Sequence, residues 1–258
     1  MRYFLDISFK GDLYAGWQKQ PNGIGIQQLV EDALYTLFRE KISIVGAGRT
    51  DAGVNALSLP AHADLPFEGD AFLREKWRRA LNGILPHDIH VRRIVPVHPT
   101  AHARFDATQR TYLYYIAAER DPFMGPYVLP IREKLSFEAM NAASQFLIGT
   151  HDFTSFSRLH GDTYTNLCTV SEAFWQPSFY PGTSVFTISA NRFLRNMVRA
   201  IVGTLLDVGR GKIAPESVID IMNKKNREEA GSSVRGEALF LAKVQYPAKI
   251  FLSSEDTI

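Results

Sequence analysis

Residues 42–65 read ISIVGAGRTDAGVNALSLPAHADL, two apolar runs separated by a glycine-rich segment. The runs have the alternating apolar positions of β-strands, so we expect a short strand at 42–47 and a longer one at 55–65. The segment between them contains Gly46, Gly48 and Gly53 and a single carboxylate, Asp51. The stretch therefore predicts two strands joined by a loop that carries one acidic side chain.

Strands and helices alternate in short elements on both sides of this loop. Further strands are predicted at 2–9, 89–97, 110–118, 170–178, 184–190 and 237–246. Helices are predicted at 26–40, 70–85, 136–149, 191–209 and from Pro215 onward. This mixture predicts an α+β fold. We expect an N-terminal half with the Asp51 loop at 1–105 and a C-terminal half at 106–258.

The composition indicates a globular protein with a mild positive charge. The chain has 258 residues and is 45% hydrophobic, which is enough for a sizeable core. Its 29 Lys and Arg against 27 Asp and Glu give a net charge of +2, so binding to a polyanion has to be argued from where the arginines lie. Cys168 is the one cysteine, and the charged first residues lack the apolar run of a signal peptide. We therefore expect a soluble, cytoplasmic protein.

The glycine-rich loop allows two interpretations of Asp51. Its glycines permit positive φ and close approach of a ligand, yet their spacing matches neither G-x-G-x-x-G nor the Walker lysine loop. A lone aspartate in such a turn often caps backbone N–H groups. Arg49, two residues away, could instead hold the carboxylate ionised and oriented toward a substrate. Asp51 is thus either a turn cap or the reactive group of a site.

Three arginines lie in the first part of the helix predicted at 191–209. At about 100° per residue, Arg192, Arg195 and Arg199 fall within roughly 60° of one another, opposite the apolar side chains. Like charges at this spacing repel unless an anion compensates them. The pattern indicates either a solvated basic face or an RNA-binding ridge. More arginines alternate with aromatic residues at 102–116, which suits RNA with unstacked bases.

Other patterns are weaker. The seven histidines lie beside no cysteine or carboxylate cluster, so no metal site is expected. Ser155, His160 and Asp162 could suggest a hydrolase, but a nucleophile elbow is missing. We expect Cys168 to be a buried, inert thiol rather than a nucleophile.

Five motifs resemble those of the tRNA pseudouridine synthase A family. GRTDAGV at 48–54 resembles the catalytic motif of that family. The others are AGWQKQPN at 15–22, HARFDATQRTYLYYI at 102–116, GTHDFTSF at 149–156 and FLRNMVRAIVGTLLDVG at 193–209. They occur in the family's order and span nearly the whole chain.

The resemblance implies a pseudouridine-synthase core, in which two α/β halves with mainly antiparallel sheets flank a central catalytic cleft. The implied activity is isomerisation of uridine to pseudouridine at positions 38, 39 and 40 of the tRNA anticodon stem-loop, by a homodimer that needs no cofactor and no metal. The family's nucleophilic aspartate corresponds to Asp51, its loop arginine to Arg49, its base-stacking tyrosine to Tyr112 and a further active-site arginine to Arg199. Arg192 and Arg195 are candidates for RNA binding.

The implied reaction explains why the loop needs only one carboxylate. The bond between ribose C1′ and uracil N1 breaks, the base turns, and C5 joins C1′. Because no external redox agent is needed and no group leaves, one carboxylate that attacks C1′ or removes a ribose proton can suffice in principle. A glycosidase would require a second carboxyl group, which the loop lacks. The target lies in or beside a stem, so it has to be flipped out at a cost of a few kcal/mol.

The chain departs from the family pattern at two places, and two rival functions stay open. The family usually has histidine where this chain has Asn55, and its late Ala-Pro-x-x-Gly-Leu segment is VRGEAL here, with Arg235 for the proline and Ala238 for the glycine. One rival is a uridine methyltransferase that uses S-adenosylmethionine, and the other is a non-catalytic RNA-binding protein. Cofactor dependence and an Asp51→Asn variant distinguish them.

Overall fold

The structure is a computed structural model, which describes residues 1–158 and 165–253. The strands are β1 (Arg2–Gly11), β2 (Ile44–Gly46), β3 (Gly53–Asp64), β4 (Ile89–Pro96), β5 (Gln109–Ala117), β6 (Leu129–Pro130), β7 (Gly149–Asp152), β8 (Leu167–Pro177), β9 (Thr183–Ala190) and β10 (Leu239–Gln245). The helices are α1 (Ile26–Phe38), α2 (Ala71–Ile84), α3 (Phe137–Gln145), α4 (Met197–Gly209) and α5 (Ser217–Lys224).

The predicted α+β fold with mainly antiparallel sheets is confirmed. Each predicted strand and helix has a counterpart in the structure, while the short strands β6 and β7 are additional. Across the described ranges, every helix is too short or too polar to span a bilayer. The chain divides into two compact units, one of Met1–Thr108 with the residues from Leu241 onward and one of Gln109–Phe240.

The first unit contains a sheet in the order β4-β1-β3-β10, with β2 paired to β3. The pairs β1–β3, β1–β4 and β2–β3 are antiparallel. Most of β1 is buried on both faces because its two alternating sets of side chains meet different partners. Tyr3 packs edge-on against Trp77 of α2, whereas Phe4 joins an apolar cluster that includes Ala101 and Ala103.

The second unit contains a sheet in the order β5-β9-β8-β7, with β6 paired in parallel to β5. The side chain of Asn141 on α3 binds both backbone groups of Trp175 on β8, at 2.7 Å and 3.1 Å, which fixes the helix on the sheet. Helix α4 is buried almost all round, as expected for a helix in the interior of a domain.

The start of α4 corrects the sequence prediction. The helix was expected from 191 but begins at Met197, because Asn196 has a left-handed backbone with φ 67° that a helix cannot continue through. Asn196 is held there by a hydrogen bond from its Nδ2 to Ser233 Oγ, 2.7 Å away. Arg192 and Arg195 therefore precede α4, and the predicted ridge of three arginines on one helix is wrong.

Candidate active site

Asp51 lies in the loop that joins β2 to β3, directly before a turn. Val54 N–H donates to Asp51 O at 3.2 Å, and Gly53 has φ 79°, a region that glycine adopts without strain. The side chain of Asp51 is half-buried, and that of Arg49 in the same loop is exposed. The loop thus presents one carboxylate and one guanidinium on a backbone held by a turn.

The AGWQKQPN motif packs against this loop. Trp17 is buried, and its backbone N–H donates to Thr50 O, 3.2 Å away and next to Asp51. A Cβ added to Gly46 would lie 2.7 Å from the indole of Trp17, and one added to Gly16 would lie 2.4 Å from Thr50 O. Gly16 also has φ 101°. Two distant motifs are therefore one structural unit, which the sequence interpretation missed.

Gly48 differs from these glycines because the fold does not require it. Among residues 1–158 and 165–253, a Cβ built on Gly48 would meet no atom within 4 Å beyond its chain neighbours, and Gly48 does not have the positive φ of Gly16 or Gly53. A side chain would be accommodated there by the protein alone. The loop is therefore packed tightly on the Trp17 side and open at Gly48.

Asn55 belongs to the interior of the first unit rather than to a surface that could touch RNA. It is 1% exposed, and its Oδ1 accepts a hydrogen bond from Gly11 N at 2.9 Å. Gly11 pairs with Gly53, and a Cβ on Gly11 would lie 2.2 Å from Val54 O. Asn55 thus ties the end of β1 to the start of β3, directly after the Asp51 loop.

Tyr112 lies on β5 in the second unit, opposite Ile188 of β9. Its half-buried ring meets Phe193 edge-on, with centroids 5.0 Å apart and an interplanar angle of 85°. Phe193 precedes α4, so this contact joins the tyrosine to the segment that carries Arg192 and Arg195. Arg195 is exposed and Arg192 is half-exposed, as an RNA-binding role requires.

Arg199 is in the first turn of α4, half-buried, and its guanidinium is anchored. Its Nε donates to Val234 O at 2.6 Å, while Val234 N–H donates to Arg199 O at 3.2 Å. The Nε hydrogen bond orients the guanidinium, and the backbone hydrogen bond joins Val234 to α4. The neighbouring Arg235 donates to Pro126 O at 2.9 Å and also to Val128 O.

Two weaker candidates are explained by packing. Ser155 is buried, its Oγ donates to Ile221 O at 2.5 Å and accepts from Asn226 N at 3.0 Å, and both contacts are structural. His160 and Asp162 lie outside the described residues. Cys168 is buried as predicted, and this burial raises the pKa of its thiol to about 11, so the thiolate nucleophile is disfavoured.

Comparisons with known proteins extend over nearly the whole chain. A family model described as tRNA pseudouridine synthase matches residues 143–247. The tRNA pseudouridine synthase A of Porphyromonas gingivalis is 49% identical over 251 residues, 97% of this chain and 99% of that one. The enzymes of the same name from Parabacteroides distasonis and Bacillus subtilis are 51% and 38% identical, over 97% and 95% of this chain and 98% and 99% of theirs. A solved Cbf5-Nop10-Gar1 complex aligns at a TM-score of 0.34 with 11% identity, covering 80% of this chain and 54% of that chain, which is too distant to bear on the site.

Proposed function

Since the chain belongs to the tRNA pseudouridine synthase A family, we propose that it isomerises uridine to pseudouridine at positions 38, 39 and 40 of the tRNA anticodon stem-loop, with Asp51 as the nucleophile. The main structural support for the assignment is the Asp51 loop. It packs against Trp17 on one side and has unfilled space beside Gly48. Membership in this family of isomerases contradicts the methyltransferase alternative.

The reaction needs a protein side chain that helps to break the bond between ribose C1′ and uracil N1 and that is regenerated afterwards. In one course the Asp51 carboxylate attacks C1′ as the C1′–N1 bond breaks; the uracil turns, C5 attacks C1′, and the bond from Asp51 to C1′ breaks, which frees the carboxylate. In the other course Asp51 removes a proton from ribose C2′ as the C1′–N1 bond breaks; the uracil turns, C5 bonds to C1′, and the proton returns to C2′. In both courses C5 then loses its proton and N1 gains one. The product is an isomer of the substrate, so atoms and electrons balance and a single positioned carboxylate can serve.

The other residues have binding roles in this proposal. Tyr112 stacks on the flipped uracil, and its edge-on contact with Phe193 fixes its ring. Arg199 is a preorganised donor, because its Nε contact with Val234 O sets the orientation of the guanidinium before substrate arrives. Arg49, Arg192 and Arg195 contact phosphate or sugar oxygens. These contacts offset the cost of flipping the nucleotide, about a few kcal/mol.

We further propose that the protein acts in the cytoplasm as a homodimer. The support for both is the resemblance to the family, together with the tRNA substrate named for its relatives.

The test is release of tritium from unmodified tRNA transcripts labelled at uracil C5, because the C5 proton is lost in the isomerisation. The parent should release tritium without S-adenosylmethionine, from transcripts with a single uridine at 38, 39 or 40. Asp51→Asn should release none and keep its tRNA affinity within about 1 kcal/mol. The control Asp32→Asn, at an exposed position on α1, should behave like the parent.

Three results would change the assignment. Full activity of Asp51→Asn would remove Asp51 as the nucleophile. Tight tRNA binding by an inactive parent would favour the non-catalytic RNA-binding protein. Release of tritium only from other uridines would refute the proposed positions.

A further inference from the structure

The loop after β4 presents an aromatic ring to solvent at a fixed place. Phe105 is 75% exposed, and what distinguishes it from a singly exposed apolar side chain is the support that its ring receives. One face of its ring stacks on His102, with centroids 4.2 Å apart and an interplanar angle of 30°. The ring is therefore supported by His102 while most of its surface stays exposed to solvent.

Hydrogen bonds within the loop hold this ring in place. His102 Nδ1 accepts from Arg104 N at 3.2 Å and from Phe105 N at 3.3 Å. Asp106 Oδ2 accepts from His102 N at 2.7 Å, and Asp106 N donates to His102 O at 3.0 Å. These hydrogen bonds fix the position of Phe105 before a ligand binds, so less conformational entropy is lost on binding.

The loop is also anchored to the interior of the first unit. Ala103 is buried, and its N–H donates to Nδ1 of His62, which is 7% exposed on β3. The Ala103 carbonyl accepts from Tyr246 Oη at 2.6 Å. Phe105 therefore lies two residues from a buried attachment point, and a mobile surface loop would not have this arrangement.

The charges around Phe105 favour a nucleic acid. The guanidinium carbon of the exposed Arg104 lies 5.8 Å from the centroid of the Phe105 ring. The carboxylate of Asp106 faces inward to the backbone of His102. An aromatic face beside an arginine is the combination that binds an unstacked base and its phosphate.

We propose that Phe105 is a stacking site for an unpaired base of the tRNA substrate, with Arg104 contacting the adjoining phosphate. This inference rests on the proposed function for the identity of the RNA. It adds a contact outside the residues assigned to the chemistry.

The test compares equilibrium binding and steady-state turnover of an unmodified tRNA transcript by four proteins. They are the parent, Phe105→Ala, Phe105→Tyr, and the control Phe123→Ala, which removes a ring that is 87% exposed elsewhere. Loss of one stacked base should weaken binding by about 5- to 100-fold in Phe105→Ala. Phe105→Ala should also raise KM with little change in kcat. Phe105→Tyr should restore the affinity and KM to the parental values.

Salt dependence separates stacking from charge. Phe105→Ala should keep the slope of log affinity against log salt. Arg104→Ala should reduce that slope by about 1, the amount expected for the loss of one phosphate contact.

Parent-like affinity of Phe105→Ala would overturn the stacking site, while activity of the parent in the same assay would leave the proposed function intact. A change in sedimentation of Phe105→Ala would also overturn it, because the ring would then belong to a contact between copies of the chain. An equal loss in Phe123→Ala would show that exposed rings act without specificity.

Discussion

Two alanine substitutions close to Asp51 should both lower catalysis, but only one of them should lower stability. In Gly46→Ala the new Cβ would lie 2.7 Å from Cε2 and Nε1 of Trp17 and 2.9 Å from its Cζ2. The indole is 2% exposed and stacked near Phe9, with centroids 6.1 Å apart, so it cannot turn aside without disturbing the core. Overpacking of this kind costs about 1–3 kcal/mol.

That cost predicts a measurable fall in thermal stability. A protein of this size loses about 2–4 °C in Tm per kcal/mol, so Gly46→Ala should unfold about 2–12 °C below the parent. The backbone N–H of Trp17 donates to Thr50 O at 3.2 Å, so a shift of the Trp17 backbone under this strain moves Thr50, and Asp51 follows Thr50 in the chain. A shift of about 1 Å in a reacting group can cost 100-fold, so kcat should fall by about 10-fold or more below the Tm.

Gly48→Ala should leave Tm unchanged, because its Cβ would meet no atom within 4 Å in the part of the chain that the structure describes. If the substrate passes over the open side of the loop, one methyl group there should lower kcat/KM by about 10-fold. The control is Gly83→Ala on α2, where an added Cβ also meets nothing within 4 Å.

Calorimetry measures the Tm of the three variants, and tritium release measures their kcat and kcat/KM. A Gly46→Ala protein with parental Tm and kcat would show that Trp17 does not buttress the loop. A Gly48→Ala protein with parental kcat/KM would show that the open side is not a substrate surface.

Two further predictions concern pH and salt. Burial lowers the pKa of His62 to about 4, below the reference value of 6.5 for an unfolded chain, and the charged groups around it are His102, Arg2, Asp64 and Asp106. The stability that the neutral His62 contributes should therefore be fully present above pH about 6.5. It should fall by about 2–3 kcal/mol toward pH 4, because the unfolded state binds the proton more tightly. Urea unfolding of the parent should show this dependence of the free energy of unfolding on pH, and His62→Gln should flatten it. Arg192→Ala and Arg195→Ala should each weaken tRNA binding and lower the salt slope by about 1, and an unchanged slope would mean that these arginines are ordinary solvated surface.

The sequence by itself determined the α+β class and the type of nearly every element. Alternation and helical spacing report which faces are buried, and that information is local. The GRTDAGV motif, through its resemblance to a known family, identified Asp51 as the candidate nucleophile. None of this required knowledge of distant contacts.

Only the tertiary structure decided where α4 begins and what each glycine does. The helical pattern extends back through Asn196, but the contact of Asn196 with Ser233, 37 residues away, stabilises a left-handed backbone at Asn196, so the helix begins only after it. Gly46 and Gly48 look equivalent in the sequence, yet one lies against Trp17 and the other faces open space. Such differences arise from contacts between residues far apart in the chain, which periodicity and spacing do not record.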